Sequence, residues 1–279
     1  MLSSTELLTR RVTDLDAFDN PGDKASSEAV CDLLTHFVHM LEGYTDTFME
    51  HECRDEAIID PEVADNLVAE CRLLRAIEMR EPSLVRGPLL RHRQDWTCMG
   101  GGRRPSVSEG RPHRPSEAGF VAPSTSLATH AVTKPTGIGL YTSTATSAGS
   151  SMWRELLSGY LSSAAAGSQL FPLPWVTWRL EQSPGAINVA EIVNARAWVS
   201  FVESYPSVAG GLVWPDWVRA AKDFDAIHIT LPAIVAAQGF RFRIGPMTLE
   251  PAFWDVEQTF WLAWRFSGAQ LLEVVPKHL

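Results

Sequence analysis

A stretch rich in arginine, proline, glycine and serine, residues 87–126, divides this 279-residue chain into two unequal parts. Such a composition contains too few apolar side chains to offset the entropy that is lost on ordering, so it predicts a flexible linker. A single core that runs through the whole chain is therefore not expected. We predict three parts: an acidic helical domain at residues 1–86, a basic linker at 87–126 and a second domain at 127–279.

Charge is distributed in the same uneven way. Residues 1–78 carry 18 acidic and 6 basic side chains, whereas residues 79–115 carry 8 arginines and 3 acidic side chains. The formal net charge of −9 therefore conceals an acidic N-terminal part and a basic middle. A protein that coats nucleic acid needs a basic face on its folded part, so that class is disfavoured. The acidic part is a candidate for binding a protein partner.

The apolar runs of the chain are short. VAGGLVW and PAIVAA are far below the roughly 20 residues needed to cross a bilayer, and the polar start MLSSTELLTRRVTDLD is unlike a signal peptide. The four cysteines lack the close CxxC spacing of a zinc or redox site, which favours free thiols. We therefore expect a cytoplasmic protein that does not span a membrane.

Helical periodicity dominates residues 1–86. SSEAVCDLLTHFVHMLEGY repeats apolar residues at spacings of three and four. A second helix is expected at Asp60 and Pro61, because a capping residue is followed there by proline at the first helical position. Two or three such helices predict a small antiparallel bundle.

Histidines and carboxylates in the N-terminal part raise the question of a metal site. His36, His39 and Glu42 follow one another at spacings of three, and His51 and Glu52 lie further along the chain. Successive spacings of three drift around a helix, and the second helix brings no histidine to complete a site. We interpret these residues as a solvated acidic face and expect no metal.

Residues 127–279 alternate short strands with helices. GIGLYTST, WVTWRLE and FRFRIGP have the pattern of strands, whereas SMWRELLSGYL and WPDWVRAAKDF have that of helices. The predicted fold class is α+β: a helical N-terminal domain followed by a mixed or antiparallel sheet with flanking helices.

Hydroxyls cluster in GLYTSTATSAGSSMWRELL, residues 139–157, between an expected strand and an expected helix. One interpretation is structural, because several serines in this segment would cap the helix. The other is a pocket wall, in which Thr142, Ser143, Thr144 and free backbone amides at the strand end hold a polar ligand. Local spacing leaves both interpretations open.

The GLYTST run that begins at Gly139, followed by small hydroxyl residues and an aromatic-bearing helix, resembles the GLYFA…S…S…Y segment of poly-ADP-ribose polymerases and related ADP-ribosyltransferases. TST is also similar to the Ser-Thr-Ser strand of the arginine-specific bacterial toxin branch. The resemblance implies that Tyr141 packs on the nicotinamide of NAD. It further implies that Ser143, with Thr142 at the cofactor, supports a catalytic glutamate.

The same superfamily places a glutamate on a late strand and a histidine or arginine on an earlier one. Glu257 heads VEQTFWLAW, and the resemblance implies that it orients the NAD ribose and stabilises the positive charge that develops as nicotinamide leaves. His130, eleven residues before Tyr141, would be the ribose ligand. Residue type alone supports a second interpretation of each residue equally well. Glu257 is then a carboxylate at a strand end, exposed to water, and His130 is a solvated histidine in a loop.

FDAIHITL places His228 in an alternating strand and resembles the penultimate strand of RNA 2′-phosphotransferases. Alternation puts His228 on the face opposite Ile227 and Ile229, where a satisfied cross-strand histidine is the other interpretation. Together KPTGIGLYTST, FDAIHITL and DVEQTFWL are similar to a KP-GGLW-TS … DAVHLT … ES-WL pattern of uncharacterised bacterial and phage proteins, over most of residues 125–266.

The resemblance implies an NAD-dependent ADP-ribosyltransferase, a toxin or effector that modifies a protein or nucleic acid, with NAD as substrate and no metal. The competing hypothesis is a non-enzymatic structural or interaction protein of a phage or mobile element, which exposed aromatic side chains would favour. The enzyme requires Tyr141, Ser143 and Glu257 to meet in one cleft on adjacent strands. Side chains on opposite faces of the sheet would overturn the enzyme hypothesis.

Overall fold

The computed structural model describes residues 3–17, 30–38, 40, 58–100, 114–124, 133–135, 137–161 and 172–276. These residues combine helices with two mixed β-sheets, which confirms the predicted α+β class. No helix among them is both long enough and apolar enough to span a bilayer. The helices are α1 Ser4–Leu15, α2 at residues 30–38, α3 Pro61–Ala69, α4 Arg72–Glu78, α5 Pro82–Arg86, α6 Met152–Leu161, α7 Ala195–Ser204, α8 Trp217–Asp223 and α9 Leu231–Ala237.

Eleven strands in these residues form two sheets. The strands are β1 Gln94–Met99, β2 Leu140–Thr144, β3 Trp175–Gln182, β4 Val189–Ile192, β5 Pro206–Ala209, β6 Leu212–Pro215, β7 Ala226–Ile229, β8 Phe242–Ile244, β9 Met247–Leu249, β10 Gln258–Trp261 and β11 Phe266–Val275. The larger sheet has the order β11-β3-β1-β2-β10-β7-β4, and the smaller has the order β5-β6-β9-β8. In the larger sheet only the β4–β7 pair is parallel.

The N-terminal helices begin where their capping residues predict. Asp60 precedes α3, and its Oδ1 accepts hydrogen bonds from the backbone amides of Glu62 at 2.8 Å and Val63 at 3.2 Å, with Pro61 at the first helical position. Ser3 and Glu6 form a capping box at the start of α1. Local sequence therefore accounts for both helix starts.

The described N-terminal helices pack against the sheet domain. The buried guanidinium of Arg11 in α1 donates to the carbonyl oxygens of Val235 at 2.7 Å and Gln238 at 3.1 Å, at the C-terminal end of α9. A cation there satisfies carbonyls that have no partner within the helix. Helix α3 contacts α7 and α9, and buried residues of both parts form one hydrophobic core.

Strand β1 lies inside the segment 87–126, which the composition predicts to be a flexible linker. The structure differs from that prediction at Gln94–Met99, because this short run pairs with β2 on one side and with β3 on the other. Its few apolar side chains would not order it alone, but two neighbouring strands satisfy its backbone and bury it. Residues 101–113 and 125–126 of the same segment lie outside the described residues.

The larger sheet has two faces, which we name after one residue on each. Residues that pair across antiparallel strands point to the same face. The Tyr141 face carries Tyr141, Phe260 and Ile227, which pair across β2, β10 and β7 and pack in the larger core. The Trp261 face carries Leu140, Trp261 and Ala226, which pack in a smaller core.

Candidate functional site

Ser143 and Glu257, two of the residues predicted to act together, are in direct contact. β2 and β10 are adjacent antiparallel strands, and Glu257 immediately precedes β10. The Ser143 hydroxyl donates to Glu257 Oε2 at 2.9 Å, and the backbone amide of Thr144 donates to the same oxygen at 2.9 Å. The sequence-based expectation that these two side chains converge therefore agrees with the structure.

The Glu257 carboxylate is fully enclosed and fully hydrogen-bonded. Its second oxygen, Oε1, accepts from Thr144 Oγ1 at 2.7 Å and lies 3.0 Å from His228 Nε2. Glu257 has 0% exposure. An ionised carboxylate has about four acceptor positions, and four donors surround this one. Glu257 is therefore held in one orientation and has no free acceptor position for a ligand hydroxyl.

A second carboxylate lies on the far side of His228. The Nδ1 atom of His228 is 2.6 Å from Glu191 Oε2, so the imidazole bridges Glu191 and Glu257. Burial alone would lower the pKa of His228, but its hydrogen bonds to Glu191 and Glu257 and the negative charges of these two carboxylates raise it to about 9. The imidazole is therefore charged at neutral pH and donates from both nitrogens. We call Glu191, His228 and Glu257 the carboxylate–histidine chain.

Glu191 is the end of this chain that reaches the surface. Its side chain is 28% exposed, whereas that of His228 is fully buried. The backbone amide of Leu89 donates to Glu191 Oε1 at 2.8 Å. Burial acts to raise the pKa of Glu191, but the hydrogen bond and charge of His228 outweigh it and lower that pKa below its usual value. The chain thus contains two carboxylates and one imidazolium.

Strand register places the carboxylate–histidine chain on the Trp261 face. His228 pairs with Thr259 on β10 and with Glu191 on β4, and Thr259 lies two residues from Trp261. The Glu257 carboxylate contacts His228 and so lies on that face too. The ring of Tyr141 lies on the opposite face.

The geometric criterion for the enzyme is therefore met only in part. Tyr141, Ser143 and Glu257 lie on or beside adjacent strands and border one cavity, but the Tyr141 ring and the Glu257 carboxylate point to opposite faces. Ser143 is the residue that connects them, because it shares a face with Tyr141 and donates to Glu257. The contact between Glu257 and an NAD ribose that the resemblance implies stays a prediction.

Tyr141 is fixed on its own face by stacking. Its ring lies 4.5 Å from that of Phe260 at an interplanar angle of 13°, and its hydroxyl donates to the carbonyl of Pro135 at 2.9 Å. The ammonium of Lys134 lies 5.7 Å from the ring centroid and pairs with Asp255 at 2.7 Å. Burial raises the pKa of Tyr141 well above its usual value. Tyr141 is therefore a neutral aromatic wall at neutral pH.

Gly139 allows β2 to begin directly against β10. Its φ is +62°, in the region that favours glycine, and a Cβ atom there would collide with the Phe260 ring and the Trp261 carbonyl. The glycine of the GLYTST run therefore has a structural reason that is independent of any resemblance.

A cavity of about 350 Å³ lies against β1, β2 and the start of β10. Most of the surface that lines it is apolar. The wall includes Trp96, Met99, Ile138, Leu140, Tyr141, Trp153 and Val256, and the polar lining includes Asp95, Thr97, Lys134, Thr142, Ser143, Glu257 and Gln258. A flat ring with a polar substituent fits this distribution of groups.

Asp95, Ser143 and Gln258 form a row across three neighbouring strands on the Tyr141 face. Asp95 on β1 pairs with Ser143 on β2. The pairing of Thr142 with Thr259 continues one step further to place Gln258 on β10 opposite Ser143. All three side chains line the cavity. We call these three residues the polar row.

One atom of the polar row has no hydrogen-bond partner in the described part of the chain. Asp95, whose side chain is only 1% exposed, pairs with Arg179 through Oδ1 and interacts with the Ser151 hydroxyl. Gln258 Nε2 is buried and makes no hydrogen bond. Burial raises the pKa of Asp95, opposed by its hydrogen bond and ion pair with Arg179, the charge of Arg154 and the Ser151 hydroxyl. Unpaired buried polar atoms are uncommon in folded proteins and call for an explanation.

Thr142 does not present its hydroxyl as a cofactor ligand. Its Oγ1 accepts from Trp261 Nε1 at 2.8 Å and donates to the side-chain oxygen of Gln94. Both partners are buried, and pairing with Thr259 places the Thr142 side chain on the Trp261 face. The Thr142 hydroxyl is therefore engaged within the sheet, and the NAD contact predicted for this residue, which lines the cavity, stays a prediction. His130, the predicted ribose ligand, lies outside the described residues.

The sequence analysis did not identify Asp95, Gln258 or Glu191. Asp95 was hidden by the linker-like composition around it, although QDWTCM contains the aromatic and β-branched residues of a strand. Glu191 lies in the apolar run of β4. A carboxylate is unusual in such a run, so its position alone could have marked Glu191 as a candidate. The sequence does not mark Gln258 as a candidate, because only the pairing of β10 with β2 shows on which face of the sheet its side chain lies.

No group of histidine, cysteine and carboxylate side chains in the described ranges is arranged to hold a metal ion. Of the residues first considered as metal ligands, His39, Glu42, His51 and Glu52 fall outside those ranges. No protein-family model matches the chain, and comparisons with curated proteins and with solved structures find no match. The functional argument therefore depends on the geometry of the cavity and the polar row.

Proposed function

We propose that the chain is an NAD-dependent ADP-ribosyltransferase that binds NAD in this cavity and acts on a macromolecular target as a toxin or effector. The observation that supports the proposal is the Ser143 hydroxyl, which lines an aromatic cavity and donates at 2.9 Å to the buried carboxylate of Glu257 on the next strand. A resident carboxylate next to a ribose-binding hydroxyl provides negative charge where cleavage of NAD creates positive charge.

In the proposed reaction the bond between ribose C1′ and the nicotinamide nitrogen breaks, and its electron pair leaves with nicotinamide. A nucleophile of the target forms the new bond to C1′ and gives its proton to water or to a basic group of the target. Positive charge develops on the ribose in the transition state, and interactions that strengthen at that point accelerate the reaction. Glu257 supplies such an interaction through Ser143.

His228 keeps Glu257 ready for this role. The imidazolium and the Thr144 donors hold the carboxylate in place, and Ser143 donates its proton to it. The Ser143 oxygen then has lone pairs left to accept a hydrogen bond from a ribose hydroxyl. Tyr141 already stacks on Phe260, so a nicotinamide ring would contact its edge or its other face.

The interaction-protein hypothesis gains no support from the aromatic residues. It expects exposed aromatic side chains, yet each of the ten tryptophans lies in the described residues and is buried or half-buried. The large apolar side chains that are exposed there are Val63, Met79, Val208, Leu271 and Val274.

The test measures release of nicotinamide and transfer of label when the purified chain meets adenylate-labelled NAD and a cell lysate. Ser143→Ala removes the hydroxyl, and we expect it to lower the rate by about 10²-fold or more in a variant whose folding is checked by circular dichroism. Glu257→Gln should do the same and is checked for folding by circular dichroism. Thr177→Val is the matched control, because it removes a buried hydroxyl of the same sheet that does not line the cavity.

Two results would overturn the proposal. The first is a folded wild-type chain that neither cleaves NAD nor transfers label. The second is cleavage that Ser143→Ala leaves at the wild-type rate, since the proposed contact with the ribose passes through that hydroxyl.

A further inference from the structure

Glu191 and His228 lie outside the cavity but are connected to it by hydrogen bonds. Neither of these two residues lines the cavity, whereas Glu257 and Ser143 both do. His228 Nδ1 lies 2.6 Å from Glu191 Oε2, and its Nε2 lies 3.0 Å from Glu257 Oε1. Ser143 donates to the other oxygen of Glu257 at 2.9 Å. A change in the charge of His228 therefore acts on the carboxylate that accepts from Ser143.

The hydrogen bonds around Glu257 give this carboxylate the role of an acceptor. Oε2 accepts from the Thr144 amide and from the Ser143 hydroxyl. Gln94 Nε2 donates to Thr144 Oγ1 at 3.1 Å, and that hydroxyl in turn donates to Glu257 Oε1 at 2.7 Å. With donors on both of its oxygens, Glu257 faces His228 as an acceptor as well. The Nε2 atom of His228 therefore carries a proton.

Glu191 imposes the same role on the other nitrogen of the imidazole. Its Oε1 accepts from the Leu89 amide at 2.8 Å, and its Oε2 faces His228 Nδ1. Both oxygens of a carboxylate accept, so Nδ1 also carries a proton and the imidazole is positively charged. A glutamine at this position meets the Leu89 amide with its oxygen and turns its NH₂ group toward Nδ1, which suits a neutral imidazole. Glu191 therefore favours the charged form of His228.

The charges around this pair act in the same direction as the hydrogen bonds. Burial disfavours the imidazolium, but the hydrogen bonds and charges of Glu191 and Glu257 together raise the pKa of His228 to about 9. Arg91 also acts on Glu191, but its side chain is exposed to water, which screens its charge. One hydrogen bond to a charged group is worth about one to two pKa units. Without the charge of Glu191, the pKa of His228 falls into the physiological range.

We propose that Glu191 is a positioning residue that keeps His228 positively charged across the physiological pH range, so that the reaction in the cavity does not vary with the charge of this histidine. The inference rests on the proposed function, in which Glu257 acts on the NAD ribose through Ser143. A neutral imidazole leaves Glu257 without a neighbouring cation, and an anion without such a cation attracts the positive charge of the transition state more strongly. Loss of the His228 proton is therefore expected to raise kcat.

Two measurements on the full chain with Glu191→Gln test the inference. NMR of the ¹⁵N-labelled histidines follows the charge of His228 between about pH 5 and 10, with His228→Gln to identify its signals. We expect the midpoint to fall from about 9 by about one to two units in the variant. The ratio of kcat for NAD cleavage in the variant to that in the wild type is measured over the same range. It should rise as pH passes through the lower midpoint, and titrations that both proteins share cancel in this ratio.

Two further variants separate charge from packing. Glu191→Asp keeps the negative charge on a shorter side chain, so the midpoint of His228 should return toward the wild-type value. A purely structural role of Glu191 predicts that aspartate is at least as harmful as glutamine. Glu250→Gln is the matched control, because Glu250 is similarly exposed, 31% against 28%, and pairs with Arg241 outside the carboxylate–histidine chain. It should leave the midpoint and the kcat ratio unchanged.

The inference and the proposed function fail in different ways. A His228 midpoint that Glu191→Gln leaves unchanged, or a kcat ratio that is the same at every pH, overturns the inference while the transferase stands. If Glu191→Gln does not fold, a wild-type midpoint below about pH 7 overturns the inference by itself. A wild-type chain that cleaves no NAD overturns the transferase and the role of Glu191 in it, and the NMR titration then shows separately whether Glu191 sets the charge of His228.

Discussion

The two faces of the larger sheet differ in where their buried polar groups lie. On the Trp261 face, Glu191, His228 and Glu257 satisfy one another, and the chain ends at a carboxylate that reaches the surface. On the Tyr141 face, Gln258 Nε2 is buried without a hydrogen bond and its residue lines a cavity, whereas Thr259, whose Oγ1 is unpaired on the Trp261 face, does not line that cavity. Both faces have desolvated polar side chains, but the unpaired group beside the cavity belongs to the Tyr141 face.

The difference separates stability from recognition. A buried charge is costly unless it is paired. Each member of the carboxylate–histidine chain therefore needs its neighbour in the chain for the fold to be stable. Unpaired atoms in a cavity are requirements that a ligand can meet. Ser143 belongs to both systems, because it donates to Glu257 and lines the cavity. A substitution of Ser143 is therefore expected to affect both faces.

The largest effect is expected from His228→Leu. This change leaves the Glu257 carboxyl group buried without its cationic partner, and breaking a buried ion pair in this way typically costs about 3–5 kcal/mol. The free energy of unfolding, measured by urea titration, should fall by that amount, whereas Gln258→Met on the other face should change it by less than about 1 kcal/mol.

A double variant sharpens this prediction. His228→Leu combined with Glu257→Leu removes the unpaired carboxylate and leaves only Glu191, which reaches water, so it should be less destabilised than His228→Leu alone. If His228→Leu unfolds with the wild-type free energy, the pairing of His228 with Glu257 does not stabilise the fold. The two faces then do not differ in how much their buried polar groups contribute to stability.

Stability should fall at alkaline pH because of the same histidine. The pKa of His228 is about 9 in the folded state, above the usual value of 6.5 for a histidine, so the imidazolium favours folding. That contribution is fully present below about pH 6.5 and is lost as pH rises through about 9; a shift of this size corresponds to about 3 kcal/mol.

Urea unfolding at pH 6, 8 and 10 measures this dependence, and His228→Gln is the control that should lack it. A wild-type chain whose free energy of unfolding falls no more steeply than that of His228→Gln over this range would show that the imidazole is not held charged by Glu191 and Glu257.

The sequence predicted those features that depend on neighbours along the chain. Asp60 and Pro61 marked the start of α3 because capping is local. Alternation in FDAIHITL placed His228 on a defined face, and the interpretation of a satisfied cross-strand histidine is confirmed by its two partners. The convergence of Ser143 with Glu257 came from a resemblance, not from periodicity.

Features that depend on distant pairing were not predictable in this way. β1 is ordered by strands that begin about 45 and 80 residues later, so a composition that looks like a linker concealed it. The face on which a side chain lies also depends on distant pairing. A one-residue shift of β10 against β2 would exchange the faces on which Glu257 and Gln258 lie. Only the register shows that the glutamate belongs to the buried chain and the glutamine to the cavity.

The smallest effect is expected from Tyr141→Phe on the cavity face. The hydroxyl makes one hydrogen bond, to Pro135 O at 2.9 Å, while the ring keeps its stacking on Phe260. Loss of that bond should lower the free energy of unfolding by about 1 kcal/mol and leave nicotinamide binding unchanged, because the hydroxyl is turned away from the polar row. Thermal melts and calorimetric titration measure the two quantities on one sample. A loss above about 3 kcal/mol would show that this hydroxyl stabilises the fold about as much as His228 does. The buried polar groups of the two faces would then contribute equally to stability.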